Sequence, residues 1–505
     1  MTKRKTPATT TSTSKKPRVT MDQSQMVVLP NELLLMVIEA AYEPALVWEA
    51  AEPADPDPSK IRLVLKTIYN LCLVSRWFRS AAQPIMYREF SFGYGQNWQP
   101  APWRSWNGRL ASFITTLAAR PDLAAQMKRA FIHRSLADAV TDDEYASAVE
   151  CAKRALDITS PMAERLLLFR SDRLYFLTFS LMPNLEHLSM QPPCSRANNF
   201  AMANWMTLDL GPKTGFLKLR SAELISFGSA WSFPPFPSLS PRTWVLPTLT
   251  LRGGFFAPII LEAVVGVETL RIVESRVSPE AINKLLSPPA AEGSQSLVGT
   301  LNGFYFASTP EEDVYTFNHD THFTIRQLLA ALYAHRRTLH HLHVDMSQVG
   351  LYGHDTGVST LEKFASLQSL ALSPGCIDRS HSTPEEWLPR LLPPTLKSLS
   401  ILRDWFLLPA SALLGLRDAI HSGGFPQLKR VRYSASTFNH FKSGVQGVSP
   451  ETQEFLKEEF SKVGVECGII DEQNPRWLQL RLDKIWADLE RGPDLPPIED
   501  NDDDL

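Results

Sequence analysis

LHHLHV at residues 339–344, LQSLAL at 367–372 and LKSLSI at 396–401 share one template: an apolar residue, two variable ones, an apolar residue, one variable one, an apolar one. Its last three places alternate, which is the period of an extended chain with one buried face. Working outward, the template recurs as LEHLSM from Leu185, LRSAEL from Leu219, LPTLTL from Leu246, VETLRI from Val267, LNGFYF from Leu301 and LKRVRY from Leu428. Several copies are introduced by a proline two residues before their first leucine, at Pro183, Pro394 and Pro426. A short strand that returns every 21 to 38 residues buries its apolar face by stacking on its neighbours. The reading is an α/β chain whose residues 181–470 form a solenoid with a parallel sheet, backed by helical stretches such as 323–333 and 408–420. The unequal spacing marks degenerate repeats. The competing reading is an α/β domain whose strands match the template by accident.

The two variable places inside each strand point away from the leucines and line the open, concave surface. From the N-terminal repeat onward they read His187 and Ser189, Ser221 and Glu223, Thr248 and Thr250, then Thr269 and Arg271. They continue as Gly303 and Tyr305, His341 and His343, Ser369 and Ala371, Ser398 and Ser400, and Arg430 and Arg432. Arg271, Tyr305, His341, His343, Arg430 and Arg432 are the expected anchors for a client protein, because large planar side chains carry most of the energy at protein interfaces.

Composition narrows the function. With 51 basic against 54 acidic side chains the chain has no global field to hold nucleic acid or an anionic membrane. The most apolar run, 255–267, is broken by Pro258 and Glu262 and falls short of a membrane span. Five cysteines, at 72, 151, 194, 376 and 467, form no CxxC pair, so neither a zinc site nor a dithiol motif is expected. His341, His343 and Asp345 have a metal-like spacing, yet no second ligand pair accompanies them. The glycines of GLYGHDTG at 350–357 follow no strand and open no helix, and GxSxG and HExxH are absent. No cofactor, no metal and no catalytic centre are expected.

The ends differ from the middle. Residues 1–25 carry six basic groups and no acidic one before Asp22, while 493–505 are acidic. Both compositions predict disordered tails. The basic one reads either as a solubilising head or as a nuclear-import signal, so the expected location is cytoplasmic, nuclear or both. Trp477 and Trp486 lie in an expected helix, 471–492, that covers the end of the array or meets a partner. Proline is abundant, 38 against 24 glycines, and concentrates in EPADPDPSK at 52–60 and in the repeat lead-ins.

Residues 26–92 read as a small helical bundle. Asn31 caps a first helix carrying Leu33, Leu34, Val37 and Ile38, the segment 52–60 is a loop, and Ile61, Val64, Leu65, Ile68 and Cys72 mark a second helix. Ser75 caps a third that Pro84 ends. The order Leu29-Pro30-Asn31-Glu32-Leu33-Leu34, then Leu73-Val74-Ser75-Arg76-Trp77-Phe78-Arg79, then Ala82, Pro84 and Tyr87 resembles the F-box family over about 60 residues. An F-box, a helical linker region at 93–180 and irregular leucine-rich repeats are the arrangement of many fungal F-box proteins. The resemblance implies a three-helix unit that docks on a Skp-type adaptor and, through it, on a cullin-RING ubiquitin ligase. The repeats would then hold the client.

Carried over by position, the adaptor-facing residues would be Leu29, Pro30, Leu33, Leu34, Ile38, Leu73, Val74 and Trp77. A small bundle buries only part of such a set and leaves an apolar face for a partner. One departure is the acidic, proline-rich insert at 43–60 between the first two helices. It leaves a second reading open, in which a vestigial F-box sits on a repeat scaffold that ubiquitinates nothing.

Overall fold

Alternation builds a strand at every one of the nine template positions. The computed structural model describes residues 35, 36, 38, 58–91, 108–157, 170–191, 218–225, 244–252, 255–256, 264–273, 275–286, 300–307, 323–346, 357–380, 383–402, 408–434 and 448–470. Twelve strands of this set form one parallel sheet in unbroken chain order. They are β1 (Glu89–Ser91), β2 (Arg129–Ile132), β3 (His187–Met190), β4 (Ser221–Ile225), β5 (Thr248–Arg252), β6 (Thr269–Val273), β7 (Gly303–Ala307), β8 (His341–Asp345), β9 (Ser369–Leu372), β10 (Ser398–Ile401), β11 (Arg430–Tyr433) and β12 (Glu466–Ile469).

All three apolar places of the template are buried. The first lies two residues ahead of its strand: Leu185, Leu219, Leu246, Val267, Leu301, Leu339, Leu367, Leu396 and Leu428 all belong to the core. The other two make ladders from strand to strand, such as Leu249, Leu270, Phe304, Leu342, Leu370 and Leu399 in consecutive register. Each buried leucine removes on the order of 2 kcal/mol of apolar surface from water.

One hydrogen-bond motif sets the register. The carbonyl just before a strand accepts from two successive amides of the next repeat: His340 O from Gln368 N and Ser369 N, both at 2.9 Å, and Gln368 O from Lys397 N at 2.8 Å and Ser398 N at 3.0 Å. The same pair starts at Arg88 O, which accepts from Lys128 N at 2.8 Å and Arg129 N at 3.0 Å. The array therefore begins at Glu89, not at 181, and the stretch 93–180 is more than a helical linker. β1 and β2 fill the template's places with Tyr87 and Phe90, and with Met127, Ala130 and Ile132, in place of leucine. At the other end β12 adds a strand inside the expected VGVECGI segment.

The helices cover one side of the sheet. They are α3 (Arg109–Ala119), α4 (Asp142–Leu156), α5 (Arg170–Ser180), α6 (Pro279–Leu286), α7 (Ile325–Leu332), α8 (Pro384–Leu391), α9 (Ala410–His421) and α10 (Pro450–Lys462). Thr324 opens α7 with a capping box to Gln327, Thr141 does the same for α4 with Glu144, and Ser449 caps α10. Part of the apolar run at 255–267 forms short strands: Phe255–Phe256 pairs Arg276–Val277, and Val264–Val265 pairs Trp244–Val245. No helix of the described residues is long and apolar enough to cross a membrane.

The N-terminal unit has a separate small core of Ile38, Ile68, Cys72, Ala82 and Ile85. It holds the helical residues Leu35, Met36 and Ile38, then α1 (Pro58–Val74) and α2 (Arg76–Met86). Helix α1 starts at Pro58, inside the segment read as loop, because proline at the first helical position forfeits no hydrogen bond. Ser75 caps α2 by accepting from Phe78 N at 3.1 Å. Pro84 does not end that helix, which runs on to Met86 although the proline forfeits its own bond to the carbonyl of Ser80. The tails, the 471–492 segment, most of the insert and of GLYGHDTG, and Cys194 lie outside the described residues.

Helices α8 and α9 meet at Gly415, where a Cβ would stand 1.9 Å from the carbonyl oxygen of Glu385. Backbone cannot yield as a side chain does, so Gly415→Ala is expected to lower the unfolding free energy by roughly 1–3 kcal/mol. Gly468→Ala, whose Cβ would meet nothing within 4 Å, is the neutral control. Urea denaturation of both variants checks this.

Candidate binding face of the sheet

Exact register converts the variable places into two rows that cross the sheet. The upper row reads Thr269, Gly303, His341, Ser369, Ser398, Arg430 and Glu466 over β6 to β12, and the lower row Arg271, Tyr305, His343, Ala371, Ser400, Arg432 and Gly468. The six residues expected as client anchors thus share one face. They fall into two groups, separated by the small residues of β9 and β10.

The first group is a stack. The Arg271 guanidinium lies over the Tyr305 ring, 5.1 Å from its centre, a cation–π geometry. The Tyr305 ring in turn stacks on His343 with centres 6.0 Å apart and planes 29° from parallel. Gly303 makes room for this: a Cβ there would come within 3.2 Å of the Tyr305 ring. His343 is pushed down to about 4, first by burial and then by the charge of Arg271. Burial, then His340, also lowers the exposed His341. Both imidazoles are accordingly neutral, flat surfaces at pH 7.

The second group is cationic. Arg430 reaches across to Glu466, Nε to Oε2 at 3.2 Å, with both side chains at least half exposed. An ion pair so exposed contributes little to stability. Arg432 sits between Ser400 and Gly468.

Cross-strand chemistry also exposes residues that reading one strand at a time misses. Glu223 accepts from Ser189 Oγ at 2.6 Å and from Arg252 Nε at 2.8 Å, with four-fifths of both ion-pair side chains covered. Beside it His187 Nδ1 and Ser221 Oγ share a 2.7 Å hydrogen bond. Arg252 was invisible as a site residue because it lies one place beyond the template. The detectable signal was its opposite charge to Glu223 on the preceding repeat.

The helical unit places its expected docking residues differently. Leu73 and Val74 are 60% and 65% exposed at the end of α1. Ile38 is a correction: it is buried in the unit's own core with Ile68, Cys72, Ala82 and Ile85, so its side chain is not open to a partner. Trp77 is half-buried against the same core, edge-on to Phe78 at 4.9 Å. Leu29, Pro30, Leu33 and Leu34 lie outside the described residues. Met36 and Tyr69, unforeseen from the motif, join Leu73 and Val74 as exposed large apolar side chains.

Among the described residues no three His, Cys, Asp or Glu side chains converge as metal ligands. Burial raises the thiols of Cys72 and Cys467, the latter to about 11, which is opposite to what activates a cysteine nucleophile. No family model matches the chain, and no curated protein is similar to it at a significant level.

The state of His343 is measurable as stability. Its folded value of about 4 lies below the ordinary 6.5, so the unfolded chain takes up the proton first as pH falls, and the stabilisation present above 6.5 is lost between 6.5 and 4. Wild-type protein is expected to lose on the order of 1–3 kcal/mol more than His343→Gln between pH 7 and pH 4. Urea titrations at the two pH values check it; equal losses would show that the imidazole carries no such penalty.

Proposed function

We propose that this chain is a client-recruiting, non-catalytic subunit of a Skp-cullin-F-box ubiquitin ligase. The N-terminal unit is an F-box that docks the Skp-type adaptor, the sheet is an irregular leucine-rich-repeat solenoid, and its open face holds the client. The observation that carries this reading is where apolar surface is left uncovered. Among the described residues, five of the eight exposed large hydrophobic ones (Leu35, Met36, Tyr69, Leu73 and Val74) belong to the small helical unit. A unit with a five-residue core gains little by exposing as many, so this patch fits a surface that a partner covers.

The junction between the two parts supports the same division of labour. Tyr87 packs on the main core and Arg88 opens the carbonyl ladder, so α2 passes into β1 without a spacer. A docked adaptor and a bound client would then be held at a fixed separation. That suits a reaction in which a ubiquitin-loaded enzyme has to find a lysine on the client.

Adaptor capture tests the reading. Leu73→Asp with Val74→Asp changes only exposed side chains and is expected to abolish co-purification with a recombinant Skp-type adaptor while the melting temperature stays within a few degrees. Ile38→Ala, a core change, is expected to cost about 2–4 kcal/mol of stability of the helical unit. Full adaptor capture by the double Asp variant would remove the proposal.

A further inference from the structure

The two halves of the sheet face differ in what they leave unsatisfied. On β3 to β5 the charged groups satisfy one another, through Ser189, Glu223 and Arg252. On β11 one charge is left over: Arg430 meets Glu466, but among the described residues no carboxylate meets Arg432. His341 and His343 stand on β8, Arg430 and Arg432 on β11, and the two strands between carry only Ser369, Ala371, Ser398 and Ser400 on this face. Three strand spacings put these walls about 14 Å apart. The result is a trough with a small, hydroxyl-rich, part-exposed floor.

The walls are chemically unlike. One is flat and neutral at pH 7, the imidazole of His343 backed by the Tyr305 ring. The other is cationic. Arg430 is engaged by Glu466, whereas among the described residues no carboxylate is paired with Arg432. Its neighbours in the row are Ser400 and Gly468, and the space at Gly468 is open. A guanidinium placed so is ready for a bidentate bond to a carboxylate.

We propose that this trough is the client-recognition site, and that it takes an extended acidic segment of a partner protein. The segment lies along the strands, with a carboxylate on Arg432 and the adjacent side chain, aromatic or large and apolar, against the His343 and Tyr305 rings. Successive side chains of an extended chain point to opposite sides, so the trough selects an acidic residue directly next to a flat one. Charge complementarity favours a protein segment of this kind, and the small floor leaves room for its backbone. This inference rests on the proposed client-binding role of the sheet.

A random peptide library displayed on phage, panned against the full chain, tests it. Selected peptides are expected to carry Asp or Glu immediately beside Phe, Tyr or Trp. A synthetic peptide of the consensus, titrated by fluorescence polarisation, is expected to bind Arg432→Ala about tenfold more weakly and His343→Ala several-fold more weakly. Thr250→Ala, on the other half of the face, is expected to leave binding unchanged. Selection without that pairing, no selection at all, or equal binding to Arg432→Ala would overturn the inference. Adaptor capture by the unmutated chain keeps the two proposals apart. Capture with failed peptide recognition removes only the trough, whereas recognition without capture removes only the ligase role.

Discussion

Everything on the sheet depends on a carbonyl that accepts two amides from the next repeat. From Arg88 to Lys429 the residue ahead of each strand pins the following strand, by two amides except at Arg220, where the next repeat offers Pro247, and at Lys429, so twelve strands share one register. A slip of one residue would turn a row of leucines to water and a row of serines and arginines into the core. The apolar ladders make that slip costly, and the carbonyl pairs make it geometrically wrong. Threonines just ahead of the template add to it: Thr338 Oγ1 donates to Leu301 O and Thr395 Oγ1 to Leu367 O, both at 2.9 Å. Local hydrogen bonding and long-range burial therefore specify the same arrangement.

That agreement explains what was readable in the sequence. Nine strands were legible because leucine fills most of their buried places and because alternation is the signature of a half-buried strand. β1 and β2 were not, because Tyr87, Phe90, Met127 and Ala130 do the same work without resembling leucine. The face was legible place by place, since a strand's period fixes which residues look outward. Its electrostatics were not. Whether Glu223 meets Arg252, or Arg430 meets Glu466, depends on repeats of unequal length coming into register, and spacing in the sequence hides that. In the helical unit the difficulty lies with periodicity, because an amphipathic stripe does not say which of its residues meet the unit's own core and which meet a partner. Ile38 and Leu73 are both apolar and helical, yet one is 2% and the other 60% exposed.

Two cores of very different size result. The large one runs from Phe90 to Cys467 and is closed on its helical side by α3 to α10, with helices as tightly docked as α8 and α9 at Gly415. The small one has, among the described residues, five buried members beside five exposed large apolar ones. Its last helix runs through Tyr87, which packs on the large core, and Arg88, whose carbonyl opens the ladder, directly into the sheet edge.

The sheet face is asymmetric for a related reason. A buried or half-buried charge that finds its partner within the fold contributes to the fold and is a poor anchor, because a ligand would have to break the existing pair. Glu223, held by a serine and an arginine, is of that kind. A charge between a serine and a glycine has nothing to give up. The stacked Arg271, Tyr305 and His343 likewise present faces that are already ordered, so a flat side chain resting on them loses little further conformational freedom. Recognition is thus expected where the fold has left a charge ordered but without a counter-charge, and among the described residues of this face Arg432 meets that condition.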